Sequence, residues 1–503
     1  MIKQVFLYVL LTAAISFSAA AADEPAPEVL DVGSSLQLFA DDWLVASLDN
    51  VELTVHQPQR QDEVIDFGDT AWEGDSEGYF AIMYDGERYH MYYHAWGQNS
   101  GEPLSIAYIT SDDGIHWQRP SLGICEFQGS KENNIVMFGL RDYGNHDFNP
   151  FVDKKPGTPP DAKYKAVGFL FGGKEGDGLF AFQSSDAIHW TEVAPGPVFT
   201  GHAFDTQNIA FWSEKENRYV LYYRDFRDGI RVIRRAVSDN FVDWTDEGEI
   251  VFPEGQGPTK ETQFYTNQIS PYYRNKDIYI GFPARYTDRG ELPGTWELPE
   301  PDQRKERMTI ESRLGTAVTD SIYIISRDGI HFSQSNDAFM SPGLRTKYNW
   351  FYGDNYLAWP MIETDSLKDD SPRELSIYAT ESYGTGSDSR LRRYTLRIDG
   401  FGSLHAKSKI GFAETKPIVF SGKELILNVA TSAAGNLWAE ICGLDGKPIE
   451  GYSFDDCDVV FGDFIDRKVT WRGESDLSAL AGKPVILKFK MAETDLFSLR
   501  FGD

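Results

Sequence analysis

The sequence predicts an all-β fold, a five-bladed β-propeller followed by a C-terminal β-sandwich, from three observations. A seven-residue turn recurs four times, each time after a strand-like segment. A Tyr-rich strand pattern recurs five times. Aromatic residues make up 14% of the chain and glycines number 45, which suits many short strands joined by tight turns. Repetition of a β unit at long period is typical of a propeller, in which each unit is one blade.

The chain begins with a segment typical of a secretory signal. Residues 1–22 contain Lys3, an apolar stretch at 5–17 and small residues at 19–22. A short apolar run that ends in small residues is cleaved and does not stay in the membrane. We therefore expect residues 1–22 to be removed. The mature protein is then secreted or periplasmic, without membrane association.

The recurrent turn marks four blades of the propeller, which is predicted to span residues 23–405. An Asp or Asn in the turn caps its own backbone, and a Gly or its equivalent takes a positive φ. The closing aromatic residue packs the turn onto its blade. These Asp residues, together with His116, His189 and His331, are therefore interpreted as structural. The four copies are 111–117, 184–190, 238–244 and 326–332.

Each blade also contains a Tyr-rich strand that follows another apolar strand. Five such units predict five blades, the fifth of which ends in 391–398 and lacks the turn. The segment 34–45 is expected to supply the strand that joins the first and last blades. The Tyr-rich strands are 88–94, 163–168, 218–224, 277–281 and 374–379.

The pattern changes near residue 406. Residues 406–503 alternate apolar and polar positions in several strands and contain no copy of the turn, which predicts a small β-sandwich. We expect this domain to pack on the propeller as a structural cap, and favour that role over carbohydrate binding.

Charge and cysteine content exclude several classes of partner. The formal net charge of −29 argues against nucleic acid, because phosphate binding needs a basic surface. It also argues against a highly sulfated or uronic polymer, unless a local basic groove compensates. The three cysteines lack the spacing of a metal site. Cys442 and Cys457 could form a disulfide, but the favoured interpretation is that all three cysteines are small buried residues. No cofactor is expected, although a structural calcium ion is compatible with this many carboxylates. The sequence leaves the oligomeric state open.

The candidate functional residues lie where the innermost strand of each blade begins, at the mouth of the central channel. Every blade has an acidic or amide residue there. Carboxylates act as acids, bases or nucleophiles on sugars, and aromatic rings stack on sugar faces. The candidate catalytic residues are Glu73, Asp75, Asp147, Asp205 and Glu261. The candidate substrate-binding residues are Trp72, His146, Asn149, Gln207, Asn208, Arg224, Tyr265, Asn267, Arg345, Trp350 and Asp354.

The first blade has the densest group of acids. Glu73, Asp75 and Glu77 alternate, so an extended chain places them on one face, where mutual repulsion is expected to raise at least one pKa. Other candidates have structural alternatives. Glu261 follows Lys260 and is equally consistent with a surface ion pair, and a structural role is slightly favoured for His146.

In these residues the chain is similar to the five-bladed propeller glycosidases of families 32 and 43. The segment 84–93, Tyr-Asp-Gly-Glu-Arg-Tyr-His-Met-Tyr-Tyr, resembles the strand after the first-blade motif of family 32. The resemblance spans roughly residues 35–400. It implies a first-blade nucleophile or base, a second-blade Asp that tunes pKa and a third-blade acid. These roles would fall to Glu73 or Asp75, to Asp147 and to Asp205. Glu261, in the fourth blade, is the other candidate for the general acid.

The expected function is that of a secreted glycoside hydrolase cleaving O-glycosidic bonds of an oligo- or polysaccharide. Residues 73–78 replace the Asn-Asp-Pro-Asn-Gly motif of family 32, so the substrate need not be a fructoside. One alternative is a non-catalytic glycan-binding propeller. Another is a sialidase, suggested by the recurrent turns; it requires three arginines around a carboxylate and typically has six blades. The sequence shows five blades and no clear arginine triad.

Overall fold

The computed structural model describes residues 29–74, 76–96, 103–139, 146–170, 177–385 and 389–502. The predicted signal segment lies outside them. The described chain is almost entirely β. Five four-stranded antiparallel sheets follow one another along it and are numbered here sheets 1 to 5.

Sheets 1 to 3 are built from consecutive strands that pair in chain order. Sheet 1 contains Ser76–Tyr84, Tyr89–Trp96, Ser105–Ser111 and Ile135–Phe138. Sheet 2 contains Asn149–Val152, Tyr164–Leu170, Gly178–Ser184 and Thr191–Glu192. Sheet 3 contains Ile209–Ser213, Arg218–Arg227, Ile230–Ser238 and Thr245–Glu249.

Sheet 4 is extended by a three-stranded sheet that continues its strands toward the site described below. Sheet 4 contains Ser270–Tyr272, Asn275–Gly281, Ile324–Ser326 and Phe332–Gln334. The three-stranded sheet contains Gln263–Phe264, Ala284–Asp288 and Ala317–Ser321. Sheet 5 contains Ile362–Thr364, Glu374–Glu381, Arg390–Leu396 and Gln59–Asp66.

The helical segments are short, and three of them form an insertion between two strands of the three-stranded sheet. The insertion holds a 3₁₀ turn at Pro293–Glu297 and the helices α1 (Pro301–Met308) and α2 (Arg313–Thr316). Another 3₁₀ turn covers Pro160–Ala162. No helix within the described ranges has both the length and the apolar character needed to cross a membrane.

The four recurrent turns share one hydrogen-bonding pattern, which confirms the structural interpretation of their Asp residues. In the turn at 326–332, Ser326 Oγ donates to Asp328 Oδ1 at 3.0 Å and accepts the N–H of Gly329 at 2.9 Å. Asp328 Oδ1 also accepts two later backbone N–H groups at 2.8 Å. Gly329 has a φ of 75°, and Ala187 and Phe241 take the same left-handed conformation in two other turns.

Each sheet shares a buried apolar core with the next. Sheets 1 and 2 share one core, sheets 2, 3 and 4 share another, and sheets 4 and 5 share a third. Sheet 5 also packs against sheet 1, through a core that includes Phe80, Ile82 and Tyr378. The first and last sheets are therefore in contact.

The fourth strand of sheet 5 differs from the one expected. Gln59–Asp66 pairs with Arg390–Leu396, whereas the segment 34–45 was expected to close the ring. Part of that segment, Gln37–Leu38, pairs with the C-terminal strand Ile486–Gly502 instead. Gln37 and Leu38 are both buried, whereas the outermost strand of a sheet needs a face that tolerates water. The polar strand Gln59–Asp66 meets that need.

The remaining strands form an eight-stranded sheet and a small parallel pair. Three strands from before residue 59 join this C-terminal sheet, although the predicted boundary placed them with the propeller. Cys442 and Cys457 are free thiols here. The sheet contains Gln37–Leu38, Val45–Asp49, Val51–Val55, Gly402–Ala406, Gly411–Thr415, Glu424–Cys442, Asp463–Lys468 and Ile486–Gly502, and the pair contains Leu30–Gly33 and Ile418–Phe420.

A single buried carboxylate joins sheet 4 to the C-terminal sheet. The Asp399 side chain is 0% exposed. It accepts hydrogen bonds from Tyr272 Oη at 2.6 Å and from Arg274 Nη1 at 2.5 Å, both in the first hairpin of sheet 4. Two residues of the C-terminal sheet also donate to the Asp399 carboxylate: Asn428 Nδ2 at 3.3 Å and Ser498 Oγ at 2.9 Å.

Candidate functional site

The first strands of sheets 1 and 2 and the segments ahead of sheets 3 and 4 meet around the buried side chain of Gln207. Gln207 Nε2 donates to the carbonyl of Phe80 in sheet 1 at 3.0 Å and to Asn149 Oδ1 in sheet 2 at 2.9 Å. Its Oε1 accepts a hydrogen bond from Gln268 Nε2, ahead of sheet 4, at 2.7 Å. One amide from the approach to sheet 3 therefore contacts three other sheets.

Arginine and tyrosine side chains gather in the same region, and we call them the arginine–tyrosine cluster. Its tyrosine rings pack closely: the Tyr265 centroid lies 5.7 Å from that of Tyr352 and 5.5 Å from that of Tyr356. The cluster consists of Arg224, Arg231, Tyr265, Tyr286, Arg313, Tyr352 and Tyr356.

Two arginines of the cluster face the same pair of aromatic rings. The guanidinium carbon of Arg224 lies 5.1 Å from the ring centroid of Tyr265 and 5.4 Å from that of Phe226. The guanidinium carbon of Arg231 lies 5.2 Å and 5.5 Å from the same two centroids. The hairpin of sheet 3 produces this arrangement, because Phe226 pairs directly with Arg231 and shares a face with Arg224.

The third arginine of the cluster comes from the helical insertion. Arg313, in α2, lies with its guanidinium carbon 4.9 Å from the Tyr352 centroid. The buried Arg304 of α1 holds the insertion in place, since its guanidinium donates to the carbonyls of Pro299 and Gly315 at 2.8 and 3.2 Å and to that of Trp350 at 2.5 Å.

The arginines of the cluster carry more positive charge than the neighbouring carboxylates balance. Arg224 forms an ion pair with Asp205, and Arg313 pairs with Glu311 at 2.8 Å. Among the described residues, the one hydrogen-bond acceptor of the Arg231 guanidinium is the neutral amide of Gln263, at 2.8 Å. Within the described residues, the three guanidinium groups thus have two carboxylates as ion-pair partners.

Several N–H groups of these arginines are buried without a hydrogen-bond partner in the described part of the chain. They are Nε and Nη1 of Arg224, Nε of Arg231 and Nη1 of Arg313. The Arg224 side chain is only 3% exposed. Buried donors are normally satisfied, and each one left open carries a desolvation cost. The cluster therefore has capacity for a ligand with hydrogen-bond acceptors.

The positive charge of the cluster acts on Tyr265. Burial disfavours ionisation of the phenol, but Arg224, a hydrogen bond with Tyr352, and Arg313 and Arg231 outweigh it and lower the pKa of Tyr265 to about 8. Burial raises the pKa of Tyr352 and of Tyr356 well above the usual range. Tyr265 is therefore the phenol of this group that ionises most readily.

Two histidines from sheets 1 and 2 lie beside the cluster. The Tyr79 ring lies 5.0 Å from that of His94 and 5.2 Å from that of His146, centroid to centroid. Burial lowers the pKa of His94 to about 4, against the effect of its hydrogen bond to the His146 carbonyl. Burial, His94 and Arg224 lower the pKa of His146 well below the usual range. Both imidazoles are therefore neutral near pH 7.

Glu73, the first of the predicted catalytic acids, is fully enclosed. Its carboxylate accepts hydrogen bonds from Thr70 Oγ1 at 3.0 Å, Tyr93 Oη at 2.6 Å and Arg119 Nε at 2.9 Å. None of these partners belongs to the arginine–tyrosine cluster. Trp72 lies nearby and donates to Asn134 rather than to a cluster residue. Asp75 lies outside the described residues.

Asp147 is also fully buried, and it joins sheets 2 and 3. Its carboxylate accepts hydrogen bonds from Asn149 Nδ2 at 2.7 Å, the Phe169 N–H at 2.8 Å and the Asn208 N–H at 2.9 Å. Burial raises the pKa of Asp147 to about 7 against these donors. Asn267 is similarly buried, and its amide donates to two backbone carbonyls.

Asp354 holds the chain that presents Tyr352 and Tyr356. It accepts the N–H groups of Phe351 at 2.8 Å and Tyr383 at 3.1 Å. Burial raises the pKa of Asp354 to about 7, with those two hydrogen bonds acting in the opposite direction. Asp354 therefore fixes the backbone beside the cluster, and its carboxylate oxygens accept hydrogen bonds from backbone N–H groups.

The two remaining predicted acids differ in their surroundings. The Asp205 side chain is 50% exposed and contacts Arg224 of the cluster. Glu261 is exposed on a loop, where its own N–H donates to Thr259; within the described ranges its carboxylate has no ion-pair partner. The structure thus brings Asp205, Arg224 and Tyr265 together and leaves Glu261 apart.

The fifth-sheet candidates lie on the loop that precedes Tyr352. Arg345 is exposed and donates to the carbonyl of Glu297 in the insertion. Trp350 is half-buried, and its indole N–H donates to the Gly343 carbonyl at 3.0 Å. Both residues connect this loop to its surroundings and do not reach the guanidinium groups of the cluster.

Sequence reasoning missed Arg231, Arg313 and the tyrosines 79, 286, 352 and 356. The sequence did contain a signal for Arg231. A hairpin turn at Asp228–Gly229 pairs Arg231 with Phe226, and Phe226 lies on the same face of the sheet as Arg224. Arg313 had no such signal, because it reaches the cluster from a separate insertion. In the described parts of the chain, no three carboxylate, histidine or cysteine side chains group as a metal site.

No protein-family profile matches the chain, and no curated protein sequence matches it. It is similar to several solved structures. One concerns the GH130 family of mannoside phosphorylases, which contains glycoside hydrolases that target β-1,2 mannosidic linkages in Candida mannan. It has 14% identity and a TM-score of 0.41, over 71% of this chain and 95% of the other.

Two further structures are similar at the same level. An N-acetylgalactosamine deacetylase from F. plautii, in complex with blood group B trisaccharide, has 12% identity and a TM-score of 0.45, over 69% of this chain and 95% of the other. A thermostable family-43 glycoside hydrolase has 10% identity and a TM-score of 0.42, over 66% of this chain and 94% of the other. Likeness at this level leaves the activity to be inferred from the side chains of the chain itself.

Proposed function

We propose that the protein is a secreted glycoside hydrolase whose substrate binds at the arginine–tyrosine cluster. The observation that carries the proposal is the juxtaposition of an accessible carboxylate, Asp205, with buried arginine donors and a Tyr-rich wall. Aromatic walls and fixed polar groups are what a sugar site requires. Proton transfer to a glycosidic oxygen needs a carboxyl group within reach.

The proposed framework is a five-bladed propeller with a C-terminal β-sandwich. Sheets 1 to 5 would be the blades, and Gln207 would lie near their common axis. A hydrogen bond that recurs between neighbouring sheets supports a closed ring. Tyr92 of sheet 1 donates to the Ala187 carbonyl in the turn of sheet 2 at 2.6 Å. Tyr378 of sheet 5 donates in the same way to the Gly114 carbonyl in the turn of sheet 1, also at 2.6 Å, as expected if sheet 1 follows sheet 5 around a ring.

In the proposed reaction, Asp205, ionised beside Arg224 in the free enzyme, first takes up a proton and then gives it to the leaving oxygen, while a second group attacks the anomeric carbon or activates water. Two residues are candidates for the second role. Asp75 is one of the two first-blade carboxylates, with Glu73, that the resemblance to family 32 implies. Tyr265 is the alternative favoured by its lowered pKa and by the three nearby arginines, and a tyrosine nucleophile is known among glycosidases as an exception to carboxylate pairs.

The test is hydrolysis of a panel of plant and algal oligosaccharides by the wild type and three variants. Asp205→Asn is expected to lower the rate about 10²- to 10⁴-fold, the usual contribution of a general acid. Comparing Tyr265→Phe with Asp75→Asn identifies the second group, since only the loss of the true nucleophile or base stops turnover.

Asp112→Asn is the matched control, because its side chain is 83% exposed and lies in a turn. It should hydrolyse the panel at the wild-type rate. Binding of oligosaccharides with no turnover by the wild type would replace this proposal with the non-catalytic glycan-binding alternative. Full activity in Asp205→Asn would remove Asp205 from the reaction, and Glu261→Gln would then test the other predicted acid.

A further inference from the structure

We infer that the arginine–tyrosine cluster selects an anionic glycan, with the carboxylate or sulfate group of a sugar seated against Arg224 and Arg231. This inference rests on the proposed function for the position of the substrate. It goes further by naming the charge that the substrate carries.

The first argument is the proximity of two like charges. Arg224 and Arg231 face the same two rings, Tyr265 and Phe226, with all four distances between 5.1 and 5.5 Å. Guanidinium groups held together in a partly buried region repel each other unless an anion lies between or beside them. Asp205 supplies one negative charge, to Arg224. Arg231 has only an amide as its acceptor among the described residues.

The second argument is the set of open donors. Nε and Nη1 of Arg224 and Nε of Arg231 are buried and find no partner in the described part of the chain. The planar, forked guanidinium group matches the oxygens of a carboxylate or sulfate, and such charged hydrogen bonds are about twice as strong as neutral ones. A sugar hydroxyl would satisfy one donor but would leave the charge unbalanced.

The third argument is the contrast with the rest of the molecule. The chain carries a formal net charge of −29, which repels polyanions in general. A local excess of arginine is then needed for an anionic glycan to bind at all, and the cluster provides it. A substrate with well-spaced charges suits this arrangement better than a densely charged polymer, because the net negative charge of the chain repels charges that lie away from the cluster.

The experiment measures binding to two matched pairs of oligosaccharides by titration calorimetry. Oligogalacturonides are compared with their methyl esters, which tests a carboxylate. Carrageenan oligosaccharides are compared with their desulfated forms, which tests a sulfate. We expect the charged member of at least one pair to bind about tenfold tighter or more, as one added charged hydrogen bond predicts.

Arg231→Gln should abolish that preference, so that the charged and the neutral member of the pair bind with the same affinity. Arg231 is chosen because it is partly exposed and has no ion-pair partner to leave behind, whereas replacing the buried Arg224 endangers folding. Arg218→Gln is the control: it lies at the far end of the neighbouring strand Arg218–Arg227 with a side chain 41% exposed, and it should keep the preference. Circular dichroism checks that each variant is folded.

The two proposals fail in different ways. Equal binding of charged and neutral members, or a preference that survives Arg231→Gln, overturns the anionic inference even if neutral glycans are hydrolysed. Absence of binding to every charged member overturns it as well. A preference that depends on Arg231, without hydrolysis of any glycan, supports the anionic ligand and refutes the hydrolase.

Discussion

At the scale of single residues, burial determines what each carboxylate of this protein does. Asp147 and Asp354 are enclosed and bind backbone or amide donors, while Asp205 is half exposed and contacts an arginine of the cluster. Sequence spacing placed all three at equivalent points of a repeat. It carried no information on which of them reach solvent, because exposure depends on segments far away in the chain.

The raised pKa of Asp147 predicts a dependence of stability on pH. Its native pKa of about 7 lies above the usual value near 3.9, so the native state holds the proton more tightly than the unfolded chain. The resulting stability is complete below about pH 4 and is lost as pH rises through 7, at about 1.4 kcal/mol per pH unit. Urea unfolding between pH 4 and 8 measures this slope.

The Asp147→Asn variant, which does not titrate, should show a shallower slope over the same pH window. Asp354 contributes in the same sense, so the slope should not vanish. A variant with the same pH dependence as the wild type would mean that Asp147 is ionised throughout.

At the scale of elements, the recurrent turn was predictable because all of its information is local. Seven residues contain the serine, the Asp or Asn, the left-handed residue and the aromatic ring, and the hydrogen bonds link those residues to one another. The closing strand Gln59–Asp66 was not predictable in this way. Its partner, Arg390–Leu396, lies at the other end of the chain, and local pattern does not encode such pairing.

The third copy of the turn predicts which substitutions the others tolerate. Asn240 Oδ1 accepts the same two N–H groups, at 2.9 and 2.8 Å, that Asp186 Oδ1 accepts in the second copy. Asp186→Asn keeps these two contacts but loses the contact of Oδ2 with His189 Nδ1 at 2.8 Å, so it should cost about 1 kcal/mol of unfolding free energy or less. Asp186→Ala removes the acceptor and should cost about 1–3 kcal/mol. Thermal and urea unfolding of the two variants give the comparison, and equal losses would contradict it.

The same contrast between local and distant information applies to the candidate site. Arg224 and Tyr265 were recognisable because they lie at repeated positions, next to the starts of inner strands. Arg231 is fixed by hairpin register and was within reach of the sequence. Arg313 depends on how the insertion folds back, which no repeat encodes.

At the scale of the whole molecule, Asp399 is a fully buried polar link between sheet 4 and the C-terminal sheet. Asp399→Ala leaves Arg274 without its buried partner and should destabilise the protein by roughly 3–5 kcal/mol. Asp466→Ala is the control, because that side chain is 53% exposed and lies 3.9 Å from the same arginine. It should cost less than about 1 kcal/mol. Similar melting temperatures for the two variants would show that Asp399 does not couple the two parts.

The pairing of Gln59–Asp66 with Arg390–Leu396 also has a consequence for biosynthesis. Glu63 and Arg393, which pair across this junction, are 330 positions apart. At roughly 5–20 residues per second of synthesis, the early strand leaves the ribosome roughly 20 to 70 seconds before its partner exists. A waiting strand invites pairing with other chains, and charged side chains discourage it. This strand carries four charged side chains, which we expect to discourage such pairing until the partner strand is synthesised: Arg60, Asp62, Glu63 and Asp66.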